Sequence, residues 1–419
     1  MKRAPIQPVK GTRDFYPEAM AQRVWLYERI RAVARRFGYQ EYEGPILEPI
    51  ALYAAKSGDE LVKDQAFVLT DRGGEELAMR PELTPTLARM VAQRQAQLPR
   101  PIRWWSFGPF WRYERPQKGR TREFFQWNID LLGTDDPRAD AELVAIAVHF
   151  FREAGLAGGE AIVQLNNRRL MDERLAASGI DGDAKKLAYR LIDKREKLDP
   201  GAWGEYGSSL GFQADQIAGL NGILENKDLW KDSEELTQLF DLLSAYDAAD
   251  TAIYEPSVVR GLDYYTGTVF EARDRDGEFR AILGGGRYDN LVADVGGDPV
   301  PGVGFAMGDV VISLVLGKYG RLPSPRPAPA RVLVTVFSPE MAGDSIRLAM
   351  RLRASGIDTE VYPEPAKMAK QVRYADQIGI PYAIVLGPDE KAGGVVALKE
   401  LATGEQVVAT IDEAAERMR

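Results

Sequence analysis

The proline-rich run RLPSPRPAPA, residues 321 to 330, divides the chain. Repeated proline fixes φ, removes backbone donors and favours an extended connector, so neither a helix nor a central strand can run through it. At 419 residues the chain is also too long for one ordinary hydrophobic core. Two separately cored parts are expected, 1–325 and 331–419.

In the shorter part the apolar run RVLVTVF, the helical stretch DSIRLAMRLRASG, the run DTEVYP, the helical KMAKQVRYADQIG and the buried run PYAIVLG follow one another. Strands alternating with helices predict a compact α/β domain with a mostly parallel sheet. The longer part opens with a helix from about Ala19 to Phe37, whose apolar positions include Val24, Leu26, Ile30 and Val33. Strands then dominate: FVLTDRGGEELAMRPE predicts a hairpin around Asp71 to Gly74, and IRWWSFGPFWRYE and REFFQWNIDLLG flank the polar loop RPQKGRTR. Between about Arg168 and Asp250 the pattern turns helical and charged, an inserted helical subdomain. Strand signals resume at SVVRGLDYYTGTVFEARD and EFRAILGGGRYDNL, so a sheet begun before the insertion is completed after it.

Composition excludes several chemistries. With no cysteine there is no disulfide framework, thiolate metal site or thiol catalysis. The one histidine, His149, lies in the apolar run AELVAIAVHFF and reads as a packed helix residue rather than a catalyst, so histidine-based acid–base and zinc chemistry are set aside. A net charge of −8 argues against polynucleotide binding through a global positive field; any nucleic acid must dock on local patches. No stretch approaches the roughly 18 apolar residues of a membrane span, and the start MKRAPIQPVKGTRDFYPE lacks a secretory apolar stretch, so the cytoplasm is the expected compartment.

Four segments can carry chemistry. FWRYERPQKGRTREFF places Arg112, Arg115, Lys118, Arg120 and Arg122 around one loop beside Phe124 and Phe125. Guanidinium forks grip phosphate oxygens and aromatic faces accept a base, although a solvated basic turn flanked by core aromatics has the same residues. In AMRPELTPTLARM, Glu82 and Thr84 stand at a strand-to-helix junction, where they can hold an ammonium group or cap the helix. VRGLDYYTGTVFE carries Arg260 and two adjacent tyrosines; if it is a strand, Tyr264 and Tyr265 face opposite sides and only one enters a given pocket. GGGRYDNL gives close backbone approach beside Tyr288, or merely a bend or bulge.

Together and in this order, with the N-terminal KGTRDFYP, these segments resemble the histidyl-tRNA synthetase family over nearly the whole chain. FWRYERPQKGRTREFFQ is similar to its class II motif 2, and RGLDYYTGTVFE and GGGRYDNL to its two histidine signatures. The resemblance implies an α+β fold: an antiparallel six-stranded class II sheet with flanking helices and a helical insertion at about 168–250, then an α/β anticodon-binding domain at 331–419. It implies a homodimer whose interface includes the first helix and YEGPILEP, and activation of histidine with ATP followed by transfer to tRNA(His). On the matching positions, Arg112 and Arg260 would be catalytic at the α-phosphate. Glu82 and Thr84 would hold the α-ammonium, Gln126 would orient the amino acid, and Asp130, Tyr264, Tyr265 and Tyr288 would complete the histidine pocket. Glu114 and Phe124 would position adenine, Arg120 would reach the outer phosphates, and Arg115 and Gln117 would meet the tRNA acceptor end. Mg²⁺ would accompany ATP, held largely by phosphate oxygens and water, with no protein-ligated structural metal.

Three departures stand out. Val310 and Val311 replace the glutamate–arginine pair of motif 3, Phe125 replaces a frequent histidine, and Asp130 shortens a glutamate. A lost phosphate contact of that kind costs about 1.5–3 kcal/mol unless another cation serves. The damaged motif 3 keeps open a non-catalytic regulatory paralogue that assists ATP phosphoribosyltransferase, or a tRNA-binding protein without adenylation. The RGLDYYTG signature and the C-terminal domain favour the ligase.

Overall fold

The computed structural model describes residues 6–54, 65–259, 264–323 and 328–419. By contacts the chain falls into two units, Met1–Asp14 with Trp25–Leu322, and Phe15–Val24 with Pro323–Arg419. The expected connector at 321–330 lies partly outside the described residues.

The strands of the first unit are β1 (Gln40–Glu41), β2 (Leu47–Pro49), β3 (Phe67–Thr70), β4 (Glu76–Met79), β5 (Ile102–Trp111), β6 (Glu123–Leu132), β7 (Ala161–Asn167), β8 (Ala252–Tyr254), β9 (Thr268–Asp274), β10 (Leu283–Tyr288) and β11 (Gly302–Gly308). Eight form one sheet, β1-β5-β6-β11-β10-β9-β7-β8. Its six central strands pair antiparallel, and β1 and β8 add a short parallel strand at each edge. β5 and β6 stay in register over ten residues, from Ile102↔Leu132 to Trp111↔Glu123, because both are rich in the aromatic and branched residues that suit a pleated surface. A separate three-stranded sheet, β2-β4-β3, carries the expected hairpin, in which the Asp71 carboxylate accepts from the amides of Gly73 and Glu75.

One face of the large sheet is covered. The first helix spans Pro17–Arg36, within two residues of expectation, and buries Leu26, Ile30 and Val33. Helix Pro137–Glu153 starts at Asp136, whose side chain accepts from the Arg138 amide, with proline in its first turn. It packs its apolar residues on the odd positions of β6: Trp127 meets Phe150 at 5.2 Å and Phe305 at 4.9 Å between ring centroids. Truncating such a buried aromatic costs about 3–5 kcal/mol. His149 belongs to this packing, its ring edge-on to Phe37 at 5.4 Å and its Nε2 3.2 Å from the Tyr246 carbonyl oxygen.

Between β7 and β8 run helices Arg168–Ala177, Asp183–Asp193, Pro200–Ser209, Ala214–Glu225 and Glu234–Ala245. Met171, Leu191, Trp203 and Leu220 give them a core of their own. β9, β10 and β11 then return to the large sheet.

The second unit has a five-stranded sheet of β12 (Val332–Val334), β13 (Thr359–Val361), β14 (Tyr382–Val385), β15 (Val396–Glu400) and β16 (Gln406–Ala409), ordered β13-β12-β14-β15-β16. Only β13-β12-β14 is parallel; β15 and β16 pair antiparallel, which corrects the mostly parallel expectation. The connection from β15 to β16 is too short for a crossover, and Gly404 at φ 75° turns it as a hairpin. No helix among the described residues is long and apolar enough to cross a membrane.

Candidate active site

Strand alternation builds the site on the sheet face opposite helix Pro137–Glu153. Gln126, Asn128 and Asp130 of β6 project to one side at spacing two, while Trp127, Ile129 and Leu131 enter the core. Across the sheet Asp130 pairs with Gly304 and Gly304 with Gly286; Asn128 pairs with Ala306 and Ala306 with Gly284. Small residues on β10 and β11 thus leave an open floor beside the polar wall of β6. The result is a cavity of about 120 Å³, lined by those residues other than Gly286 together with Glu82, Thr84, Arg112, Tyr264, Tyr265 and Tyr288.

The glycines have specific reasons. A Cβ on Gly304 would overlap the Asp130 carboxylate, coming within 2.7 Å of its Cγ. On Gly286 it would come within 2.8–2.9 Å of the Tyr265 ring. GGGRY is therefore an unbroken strand that leaves room for side chains, not a bend or a phosphate loop. Its Arg287 points away from the cavity, to a buried ion pair with Asp140 and to the Thr134 carbonyl at 3.0 Å.

At the cavity's closed end the Tyr288 hydroxyl donates to Asp130 Oδ1 at 2.5 Å. Burial pushes the Asp130 carboxyl up to about 7, the Tyr288 bond pulling the other way. Burial and then the Asp130 charge hold the Tyr288 hydroxyl well above the ordinary tyrosine range. Tyr42 is half-buried with its hydroxyl enclosed near the same carboxylate, whose charge follows desolvation in raising its pKa, and that hydroxyl has no hydrogen-bond partner among the described residues. Gln126 Oε1 and Asn128 Nδ2 are buried and equally unpartnered. Buried polar atoms left open in this way, on a cavity wall, are poised for a polar ligand.

Where the cavity opens, Arg112 donates from Nε to the Pro81 carbonyl at 2.9 Å and lies over the Phe124 ring at 5.4 Å. Arg80 fixes that segment: fully buried, it donates to Glu43 at 2.5 Å and to the carbonyls of Pro109 and Gly44, and lies over Phe110. Glu82 and Thr84 follow at the junction between β4 and helix Thr84–Arg94, as expected, and both face the cavity; the helix has no side-chain cap. Glu114 and Arg120 form an ion pair on the β5–β6 loop, and Phe124 stacks on Phe110 at 5.9 Å. These three do not line the cavity; Arg112, which lines it and lies over Phe124, joins the two groups. Arg115 and Gln117 are exposed on the same loop.

The comparisons decide the family. A family model described as histidyl-tRNA synthetase matches residues 11–309, and one described as anticodon binding domain matches residues 331–419. The chain belongs to the histidyl-tRNA synthetase family. It is 37% identical over 416 residues to histidine–tRNA ligase of Halobacterium salinarum, covering 96% of this chain and 95% of that protein. It is 38% identical over 421 residues to the ligase of Opitutus terrae, covering 96% and 95%. Histidyl-tRNA synthetase from Nostoc sp. PCC 7120 shares its fold at a TM-score of 0.86 and 24% identity, covering 99% of both chains. An ATP phosphoribosyltransferase regulatory subunit/histidyl-tRNA synthetase from Bacillus halodurans follows at 0.74 and 22%, covering 89% of this chain and 97% of that one.

Against the family's signatures, one placement differs from expectation. Tyr264 and Tyr265 both line the cavity, because β9 begins only at Thr268 and strand alternation does not govern them. Arg260 lies outside the described residues. Phe125 projects from the opposite side of β6 and stacks on Phe107 at 5.9 Å, so its departure does not touch the cavity. Val311 is buried, 3.7 Å from where a Cβ on Gly119 would stand, and packs beneath the motif 2 loop. Asp309, ahead of the two valines, is tied to the Arg13 guanidinium and the Phe125 amide at 2.8 and 2.9 Å. Asn128, Gly304, Ala306 and Tyr42 were missed. For Asn128 the signal was present, since Q-W-N-I-D places three polar side chains on one face of a strand.

Proposed function

We propose that the chain is a histidine–tRNA ligase, activating L-histidine with ATP to histidyl-adenylate and pyrophosphate, then transferring histidine to tRNA(His) with release of AMP. Relatives that carry this name over 96% of the chain support the reading. The observation that carries it is the pairing, within one cavity, of a charged entrance with a buried carboxyl: Glu82 and Arg112 at one end, Asp130 with Tyr288 at the other. A zwitterionic amino acid whose side chain carries an N–H fits this distribution. Glu82 and Thr84 take the ammonium, Arg112 the carboxylate, Gln126 orients the backbone, and Asp130, Tyr264, Tyr265 and Tyr288 surround the imidazole.

The carboxylate of histidine is already a nucleophile, so no general base is needed. Charge gathers on the α-phosphate as the carboxylate attacks and pyrophosphate leaves, and fixed guanidinium groups lower that barrier electrostatically. Arg112 supplies one, its orientation set by Pro81 and Phe124. Arg260 supplies the second; its place in the RGLDYY signature supports that role. Phe124 offers a face to adenine, Glu114 an acceptor to its amino group, and Arg120 a cation to the outer phosphates, with Mg²⁺ arriving on ATP. Arg115 and Gln117, exposed on the loop, meet the acceptor end, and residues 331–419 read the anticodon. The exposed Leu47, Val68 and Leu69 on the small sheet, with Ile46 just ahead of it, support a homodimer through the YEGPILEP region, and the reaction belongs in the cytoplasm.

Charging of purified tRNA(His) with labelled histidine tests the proposal. Histidyl-tRNA formed only with ATP supports it; folded protein that charges nothing removes it. Val310 and Val311 favour a regulatory paralogue, but the match of residues 331–419 to an anticodon binding domain weighs for the ligase.

A further inference from the structure

We propose that Arg280, from the turn between β9 and β10, is a second cation on the outer phosphates of ATP, acting beside Arg120. The inference rests on the ligase reading and adds to it a residue outside the motif 2 loop.

The turn that carries Arg280 lies against that loop. Asp274 accepts from the amides of Glu278 and Phe279 at 3.2 and 3.1 Å. Lys318 ties Asp274 and Asp276 at 3.2 and 2.7 Å. From the loop side, Lys118 pairs with Glu278 at 3.3 Å and lies over the Phe279 ring at 4.8 Å. Arg280 is the next residue and is exposed. It makes no hydrogen bond or ion pair among the described residues, whereas Arg120 is held by Glu114. Partial desolvation of its otherwise exposed side chain, and then the charge of Arg120, draw the Arg280 pKa below the ordinary arginine value, with Glu114 opposing. With Glu114 committed to Arg120, and Glu278, Asp274 and Asp276 to Lys118 and Lys318, the Arg280 guanidinium keeps a charge that a polyphosphate would neutralise. Val311, seated under Gly119, brings no charge to this place.

A phosphate on the acceptor end of tRNA has the same chemistry, so the test separates the two sources. Wild type, Arg280→Ala and Arg280→Lys are titrated calorimetrically with a non-hydrolysable ATP analogue, with AMP and with tRNA(His). For Arg280→Ala the analogue should bind about tenfold more weakly while AMP stays within about twofold, and Arg280→Lys should recover part of the loss. Unchanged analogue affinity, a parallel loss for AMP, or weakening confined to tRNA each overturns the assignment. Histidine-dependent pyrophosphate exchange by the wild type is measured first. Its absence removes the ligase reading itself, before any variant is compared.

Discussion

Replacing Asp130 by asparagine should stabilise the protein at alkaline pH while spoiling histidine binding, and both effects follow from one buried carboxyl. Burial raises its folded-state pKa from 3.8 to about 7. Below pH 4 both folded and unfolded chains hold the proton. Between about 4 and 7 the unfolded chain releases it and the folded chain keeps it, so the unfolded state binds fewer protons and stability falls as pH rises, levelling above 7. The displacement corresponds to roughly 4 kcal/mol as an upper bound. Asparagine retains an acceptor for the Tyr288 hydroxyl but cannot ionise. Any packing penalty it brings is the same at every pH and cancels in the comparison. Urea unfolding of wild type and Asp130→Asn at pH 5 and pH 8.5 should therefore give a stability difference that shifts by about 2–4 kcal/mol in the variant's favour at the higher pH. Meanwhile the KM for histidine should rise about 10- to 150-fold, the loss of one charge-assisted bond to the imidazole. A stability difference independent of pH would refute the titration argument, and an unchanged KM would remove Asp130 from the histidine pocket.

Other perturbations follow from the same geometry. Gly304→Ala places a methyl group against the Asp130 carboxylate, so histidine affinity should collapse, with about 1–3 kcal/mol of destabilisation by urea unfolding. Asp140→Asn leaves Arg287 charged and unpaired inside the fold, which should cost about 3–5 kcal/mol by the same measurement and leave the KM for histidine nearly unchanged in protein that remains folded. Arg260→Ala should depress single-turnover adenylate formation at least about tenfold, or 1.4 kcal/mol, with the circular dichroism spectrum unchanged; an equal rate would defeat its role.

What the sequence disclosed tracks how local the determining physics is. β5 and β6 announce themselves by aromatic density, helix Pro137–Glu153 by its apolar run and His149 by the company it keeps; all are fixed by neighbours along the chain. The β15–β16 hairpin was lost because its register depends on pairing with β14, which periodicity does not encode. In the site, Glu82, Arg112, Gln126, Asp130 and Tyr288 were named from motifs, and the cavity gathers them. The floor was not legible: that Gly304 must lack a side chain follows from its register with Asp130, 174 positions away along the chain and known only once β11 is paired with β6. Tyr265 shows the opposite error, a strand rule applied to residues that precede the strand. Arg280 gave no local signal, since its significance lies in a loop distant in sequence.

The most direct test of the account is amino-acid-dependent exchange of pyrophosphate into ATP, measured with histidine and with each other standard amino acid, in wild type and Arg112→Ala. Exchange that requires histidine and falls at least about tenfold in the variant is the predicted result. Exchange that is absent, driven equally by another amino acid, or indifferent to Arg112 would contradict the claim that this cavity is where histidine meets ATP.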